Sequence, residues 1–213
     1  MSHPDTITVT GTGSVMAVPD LAILRLGSEV RSQRLKDAYD GASRASEAIV
    51  AAALRAGVAR NDIASTSLTV TPEMTWEEGR GQRLVGYAAG RGLTVRARDL
   101  ARTGDLLDAV VTAGGDAVRI NGLALGISDE STARASAQEA AFLDAKACAE
   151  RLAQLAGRGL GAVVRIDAGP QGGMPGQPVP MRRVAFAAAE ASAPLEPGET
   201  EVSASLIVAW ALA

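Results

Sequence analysis

Leu93-Thr94-Val95-Arg96-Ala97-Arg98-Asp99-Leu100 lies inside the stretch Gly86 to Gly115, in the middle of a chain of 213 residues. Leu93, Val95 and Ala97 alternate with Thr94, Arg96 and Arg98, the period of a strand with one buried and one solvated face. Asp99 stops the alternation and suits the cap of a helix, since its carboxylate can take up free first-turn amides. Leu100, Gly104, Leu107 and Val111 then recur at three- and four-residue spacing up to Gly114-Gly115. A strand therefore feeds a helix. Hairpin, helix and strand are expected before this unit, and strand, helix and strands after it, so it joins two similar halves.

Toward the amino terminus, Ile7 and Val9 alternate with Thr8 and Thr10, and Gly11-Thr12-Gly13 reads as a bend before the turn signal Pro19-Asp20. Leu24, Leu26 and Val30 share a face, which predicts an antiparallel hairpin over residues 6 to 31. Ser32 to Ala56 lacks proline and carries a helical stripe of small residues ended by Gly57, with Tyr39, Ile49 and Leu54 as its bulk. Ile63 to Thr71 is a strand rich in Thr, Ser, Val and Leu, which Pro72 makes unsuitable for a sheet centre. Residues 76–82 read as a mobile hairpin loop.

Toward the carboxyl terminus, Val118 and Ile120 hold one parity and Leu123, Leu125 and Ile127 the other, so a β-bulge is expected at Asn121-Gly122. Ser128-Asp129 caps the longest helix, about 130–156, whose stripe holds Ala133, Ala137, Ala140, Ala141, Ala145, Cys148, Leu152 and Leu155. Residues 164–168 are a strand, 169–180 and 189–199 are flexible loops, and a short strand is expected over 180–188. Val202, Ala204, Leu206, Val208, Trp210 and Leu212 alternate without a break. Ile207, Ala209 and Ala211 make the opposite face apolar as well, so this strand is central or covered by another subunit.

Composition narrows the functional classes. Aromatics are only 3% of residues, so the core is built from Ala, Val, Leu and Ile with close backbone approach. A net charge of -3 gives no general attraction for nucleic acid. The single cysteine excludes an intramolecular disulfide, and the single histidine excludes a multi-histidine metal site within one chain. No stretch approaches eighteen uncharged apolar residues, so no membrane span is expected.

The order of motifs resembles the SIMPL domain family over essentially the whole length. The matching residues are Ile7-Thr8-Val9-Thr10-Gly11 with Pro19-Asp20, Gly57 with Asp62-Ile63, and Gly86-Tyr87 with Leu93-Thr94-Val95-Arg96. Gly104-Asp105-Leu106-Leu107-Asp108-Ala109, Leu125-Gly126-Ile127-Ser128-Asp129, the run Asp144 to Ala153, and Pro197-Gly198-Glu199 before Val202 continue the series. The resemblance implies an α+β fold of long antiparallel strands and hairpins with about three helices packed on the sheet. It implies one SIMPL-like domain over 1–213, and the two halves joined at Gly86 to Gly115 give expected sub-lobes 1–85 plus 199–213 and 86–198 within it. It also implies self-association and a role in envelope or oxidative-stress physiology without an established reaction. Two features depart from the family. An export signal is absent at Met1 to Thr6, giving a cytoplasmic expectation, or a periplasmic or extracellular one if the start was trimmed. Cys148 stands where the family helix often carries Lys.

Candidate sites are few. His3 lies in a terminus that frays. Cys148 is either a redox thiol favoured by Lys146 and Arg151 or a small packed helix residue, and packing is the commoner role of a free cysteine. Gly11-Thr12-Gly13 and Gly157-Arg158-Gly159-Leu160-Gly161 lack the strand-then-helix setting of a dinucleotide fingerprint. Arg80, Arg83, Arg91, Arg96 and Arg98 read as a solvated strand face, and Asp99, Asp105, Asp108, Asp129 and Glu130 as helix caps and first-turn charges. Met174 and Met181 lie in a flexible loop. The expected function is a non-enzymatic, self-associating binding or scaffold protein of SIMPL type in stress response, a homo-oligomer with no cofactor, metal or nucleic-acid partner. The alternatives are a small-molecule enzyme using a cleft between the halves, and a redox sensor through Cys148.

Overall fold

The computed structural model describes residues 5–168 and 196–213. In chain order these form β1 (Thr6–Ala17), β2 (Leu21–Ser32), α1 (Leu35–Arg55), β3 (Ile63–Glu77), β4 (Gly81–Ala97), α2 (Thr103–Gly114), β5 (Val118–Gly126), α3 (Ser131–Leu155), β6 (Leu160–Ala168) and β7 (Thr200–Leu212). All strand pairs are antiparallel, in two sheets, so the fold is α+β as expected. His3, Met174, Met181, the strand expected over 180–188, the 169–180 loop and most of the 189–199 loop lie outside the described residues.

The described residues divide into two compact units, residues 19–128 with 196–198 and residues 5–18 with 129–168 and 199–213. This differs from the sub-lobes 1–85 plus 199–213 and 86–198. A cut at residue 85 would sever β4, which pairs with β2 along one side and β3 along the other.

In the unit of residues 19–128 the strand order is β3-β4-β2-β5. Leu24 and Leu26 of β2 and Leu93 and Val95 of β4 are buried with Ile49 of α1 and Leu106 and Val110 of α2. Each such side chain contributes roughly 1.5–3 kcal/mol by leaving water. Ala38, Ala42, Ser46, Ile49 and Ala53 bring α1 close to the sheet, and Ser28 of β2 donates its hydroxyl to the Ala42 carbonyl at 2.8 Å. Tyr39 and Leu54, expected to fill that face, lie instead on the helix flanks, more than a third exposed. The bulge falls where expected, because Arg25 pairs with Gly122 and Leu26 with Ile120, leaving Asn121 unpaired. Pro72 sits on the edge strand, but β3 runs through it to Glu77. The loop expected over 76–82 is therefore only a turn at residues 78–80, flanked by paired strands and helped by positive φ at Gly79 and Gly81.

In the other unit the order is β1-β7-β6, so β7 is central. Ala137, Ala141, Ala145, Ala149 and Ala153 of α3 are buried on the sheet, beside Val9, Leu206, Val208 and Trp210. A Cβ at Gly11 would collide with the Ala141 carbonyl, and one at Gly13 with that of Ala137. These glycines thus permit close helix approach within a continuous strand, in place of the expected bend. The four-residue alanine row also turns Leu152 and Leu155 outward, contrary to the expected stripe. The hairpin predicted over 6–31 does not form. β1 pairs with β7, Val9 opposite Val208, while β2 belongs to the other sheet. Burial of Val9 and Gly11 under α3 decides this, and no local pattern in residues 6–31 carries that information.

Candidate functional site

The hairpin of β3 and β4 outruns the sheet it belongs to. β2 ends at Ser32 opposite Tyr87, so from Gly86 to the tip β4 pairs with β3 alone. Leu68, Val70, Pro72, Met74 and Trp76 share one face of β3, since Val70 pairs with Ala89, Pro72 with Tyr87 and Met74 with Leu84. α1 covers this face at Ala89, through Ala38 and Ala42, and Tyr87 packs at the margin of that cluster. Further out the side chains face solvent, Met74 48% exposed, Trp76 74% and Leu84 45%, while Leu68, opposite Arg91 within the four-stranded part of the sheet, is 53% exposed at the open edge. An apolar stripe of this length on a solvated ribbon is unusual, because large exposed apolar patches mark contact sites.

The opposite face is polar and internally paired. It carries Ser67, Thr69, Thr71, Glu73, Thr75 and Glu77. Arg31 reaches Glu73 at 3.0 Å, and Arg80 and Arg83 flank Glu77 at 3.8 and 4.0 Å. The arm is amphipathic, and its apolar side is the one left uncovered by the described residues. The alternation was legible in the sequence, but reading residues 76–82 as a loop cut the stripe short of Trp76.

The other candidate residues do not converge. Cys148 is half-buried on α3 at the margin of the alanine cluster, with Arg151 Nη2 3.9 Å from its Sγ, while Lys146 turns to Glu150 at 3.9 Å. The arginine series splits up: Arg80 and Arg83 pair with Glu77, Arg91 donates to Ser43 at 3.3 Å, and Arg98 pairs with Asp62. Asp99 accepts from the Arg102 amide, Asp129 from the Ser131 amide, and Glu130 pairs with Arg134 at 2.7 Å. No group of three or more metal-ligating side chains occurs among the described residues, nor a helix long and apolar enough to cross a membrane.

An open cleft of about 270 Å³ lies between α1 and α2, lined by Ala52, Arg55, Ala56, Arg102, Asp105 and Ala109. It is smaller than the usual ligand pocket. Two carboxylates that sequence reasoning passed over are held firmly. Asp20 accepts from the Ser128 hydroxyl at 2.5 Å and the Ser128 amide at 2.6 Å, and those bonds hold its pKa below the ordinary range. Asp62 is buried, and the Arg98 hydrogen bonds lower its pKa likewise. Both partnerships are long-range and left no local signal.

The family described as SIMPL, protein of unknown function (DUF541), matches residues 7–210. The chain belongs to the SIMPL family. Among its relatives this SIMPL chain is 31% identical to the 26 kDa periplasmic immunogenic protein of Brucella melitensis biotype 1, over 98% of its own length and 85% of that protein's. It is also 31% identical to uncharacterized protein YggE of Escherichia coli strain K12, over 75% of this chain and 64% of that one. A crystal structure of AtUAH in complex with (S)-hydroxyglycine overlaps 62% of this chain and 34% of that one at 12% identity and TM-score 0.28, which carries no argument. The cytoplasmic expectation gains no support from these relatives, since the Brucella protein is named periplasmic.

Proposed function

We propose that this SIMPL chain is a self-associating binding or scaffold domain, without a reaction centre of its own, that works in the periplasm in response to stress. The observation that carries self-association is the uncovered apolar face of the β3–β4 arm, with Trp76 at its outer end. Apolar faces on sheets that outrun their own helices are resolved by another covering surface, and a second copy is always at hand. The periplasmic setting rests on likeness to the Brucella protein named for that compartment, and the stress setting on the family resemblance. Sedimentation of the whole chain at micromolar concentration tests the reading. It predicts a mass of two or more chains, and a single species of 21.7 kDa overturns it.

A further inference from the structure

Resting on the self-association just proposed, we infer that Trp76, at the tip of the arm, seats in the cleft between α1 and α2 of a second copy, a head-to-tail contact. Each half of this contact is left open by the chain's own fold. Trp76 is largely exposed, with Met74 and Leu84 exposed just inside it. The cleft is lined by Ala52, Ala56 and Ala109, with the exposed Arg55, Arg102 and Asp105 around them. Its volume of about 270 Å³ falls short of the roughly 300–1,000 Å³ of a small-molecule pocket and leaves room for one aromatic side chain. Guanidinium groups stack on indole faces, and two of them stand at the cleft.

No chain can fill its own cleft with its own tip. α1 starts at the root of the arm, where Ala38 and Ala42 pack with Ala89, and its later residues Ile49 and Ala53 join Leu24 and Val95, away from the arm. At about 1.5 Å per residue, Ala56 lies roughly 27 Å beyond Ala38. Trp76, opposite Gln82, lies about 17 Å beyond Tyr87 in the other direction. Tip and cleft therefore mark opposite ends of one unit, and a contact between them is heterologous, closing into a ring or growing into a filament. Charge agrees with this occupant. Among the described residues the side chains of Arg55 and Arg102 make no ion pair, and neither does that of Glu78 in the turn beside Trp76. Once the tip is seated, Glu78 faces these guanidinium groups, and Arg80, held only loosely to Glu77 at 3.8 Å, faces Asp105. Glu77 and Glu78 balance Arg80 and Arg83, so no single-signed field draws an anionic membrane or a nucleic acid to the tip. A seated indole buries roughly 150–250 Å² of itself, so each contact is small and hinges on one hot spot, and each chain is held at both its ends.

Two variants of the whole chain separate this inference from the reading it rests on: Trp76→Ala, which blunts the tip, and Arg55→Glu with Arg102→Glu, which reverses the charge at the cleft. All three side chains are exposed, so both variants should keep their fold, as judged by an unchanged circular dichroism spectrum. Loss of the indole should weaken association by roughly 30-fold or more. The expected result is that the wild type sediments as an assembly and each variant alone at 21.7 kDa. Mixed in equal amounts, well above the wild-type midpoint, the two variants should form a pair of twice 21.7 kDa and nothing larger, because together they hold one intact tip and one intact cleft. A Trp76→Ala chain that assembles like the wild type overturns the tip as contact while leaving self-association standing. A mixture that stays at 21.7 kDa, or grows past two chains, overturns the head-to-tail arrangement in the same way. A monomeric wild type overturns both.

Discussion

The guanidinium of Arg98 meets both carboxylate oxygens of Asp62, Nε to Oδ2 at 3.0 Å and Nη2 to Oδ1 at 3.1 Å. The pair ties the short helical turn at Arg60–Asp62 to the end of β4. Asp62 is buried while Arg98 is largely exposed, so solvent screens the attraction and the net contribution is modest. Asp62→Ala should lower stability at pH 7 by about 1 kcal/mol. The folded-state pKa is depressed, so this contribution is fully present above the unfolded value near 3.9 and is lost as pH falls through the lower folded value. Urea melts of wild type and variant should therefore differ at pH 7 and converge in strong acid; an equal difference at both ends would contradict the assignment.

Asp20 has the same sign and a different cause, a hydroxyl and an amide of Ser128. Removing the hydroxyl in Ser128→Ala should raise the Asp20 titration midpoint toward the ordinary carboxylate value without reaching it, because the amide bond remains. Carboxyl carbon chemical shifts against pH check this directly. A midpoint that does not move would mean the hydroxyl bond is absent in solution.

Gly11→Ala should destabilise the chain by about 1–3 kcal/mol through overpacking, since the added methyl meets the α3 backbone, which cannot swing aside. Gly159→Ala is the control, its Cβ finding only the Ala213 side chain at 3.6 Å and its carbonyl oxygen at 4.0 Å. Chemical denaturation of both variants separates close approach from the general loss of a glycine. Equal effects would remove the close-approach account.

Cys148→Ser should leave the assembly unchanged in the presence and absence of peroxide, because the thiol sits half-buried at the edge of a packed alanine face. Non-reducing electrophoresis reads the outcome. A peroxide-dependent dimer present in the wild type and missing in the variant would bring back the redox reading.

What the sequence made legible was whatever has a short period. Leu93, Val95 and Ala97 announced their strand, Asn121-Gly122 its bulge, and the run from Val202 to Leu212 its central place. What it hid was partnership. Nothing in Ile7 to Ala17 says that its neighbour in the sheet is β7, and nothing in Pro19-Asp20 or Asp62 says that Ser128 and Arg98 will close on them. The arm fell between these cases: its alternation was visible through Val70, but Pro72 and the glycines at 79 and 81 suggested an end where the edge strand in fact tolerates both.

The pairing of β1 with β7, Ile7 opposite Trp210, bears on how the chain is made. At synthesis rates of about 5–20 residues per second, β1 leaves the ribosome on the order of ten seconds or more before its neighbour exists. Residues 19–128 contain every strand of their own sheet, so that sheet does not wait for β7. The nascent Ile7-Thr8-Val9 segment meanwhile stays an open template, and chaperone capture of the growing polypeptide would be concentrated there.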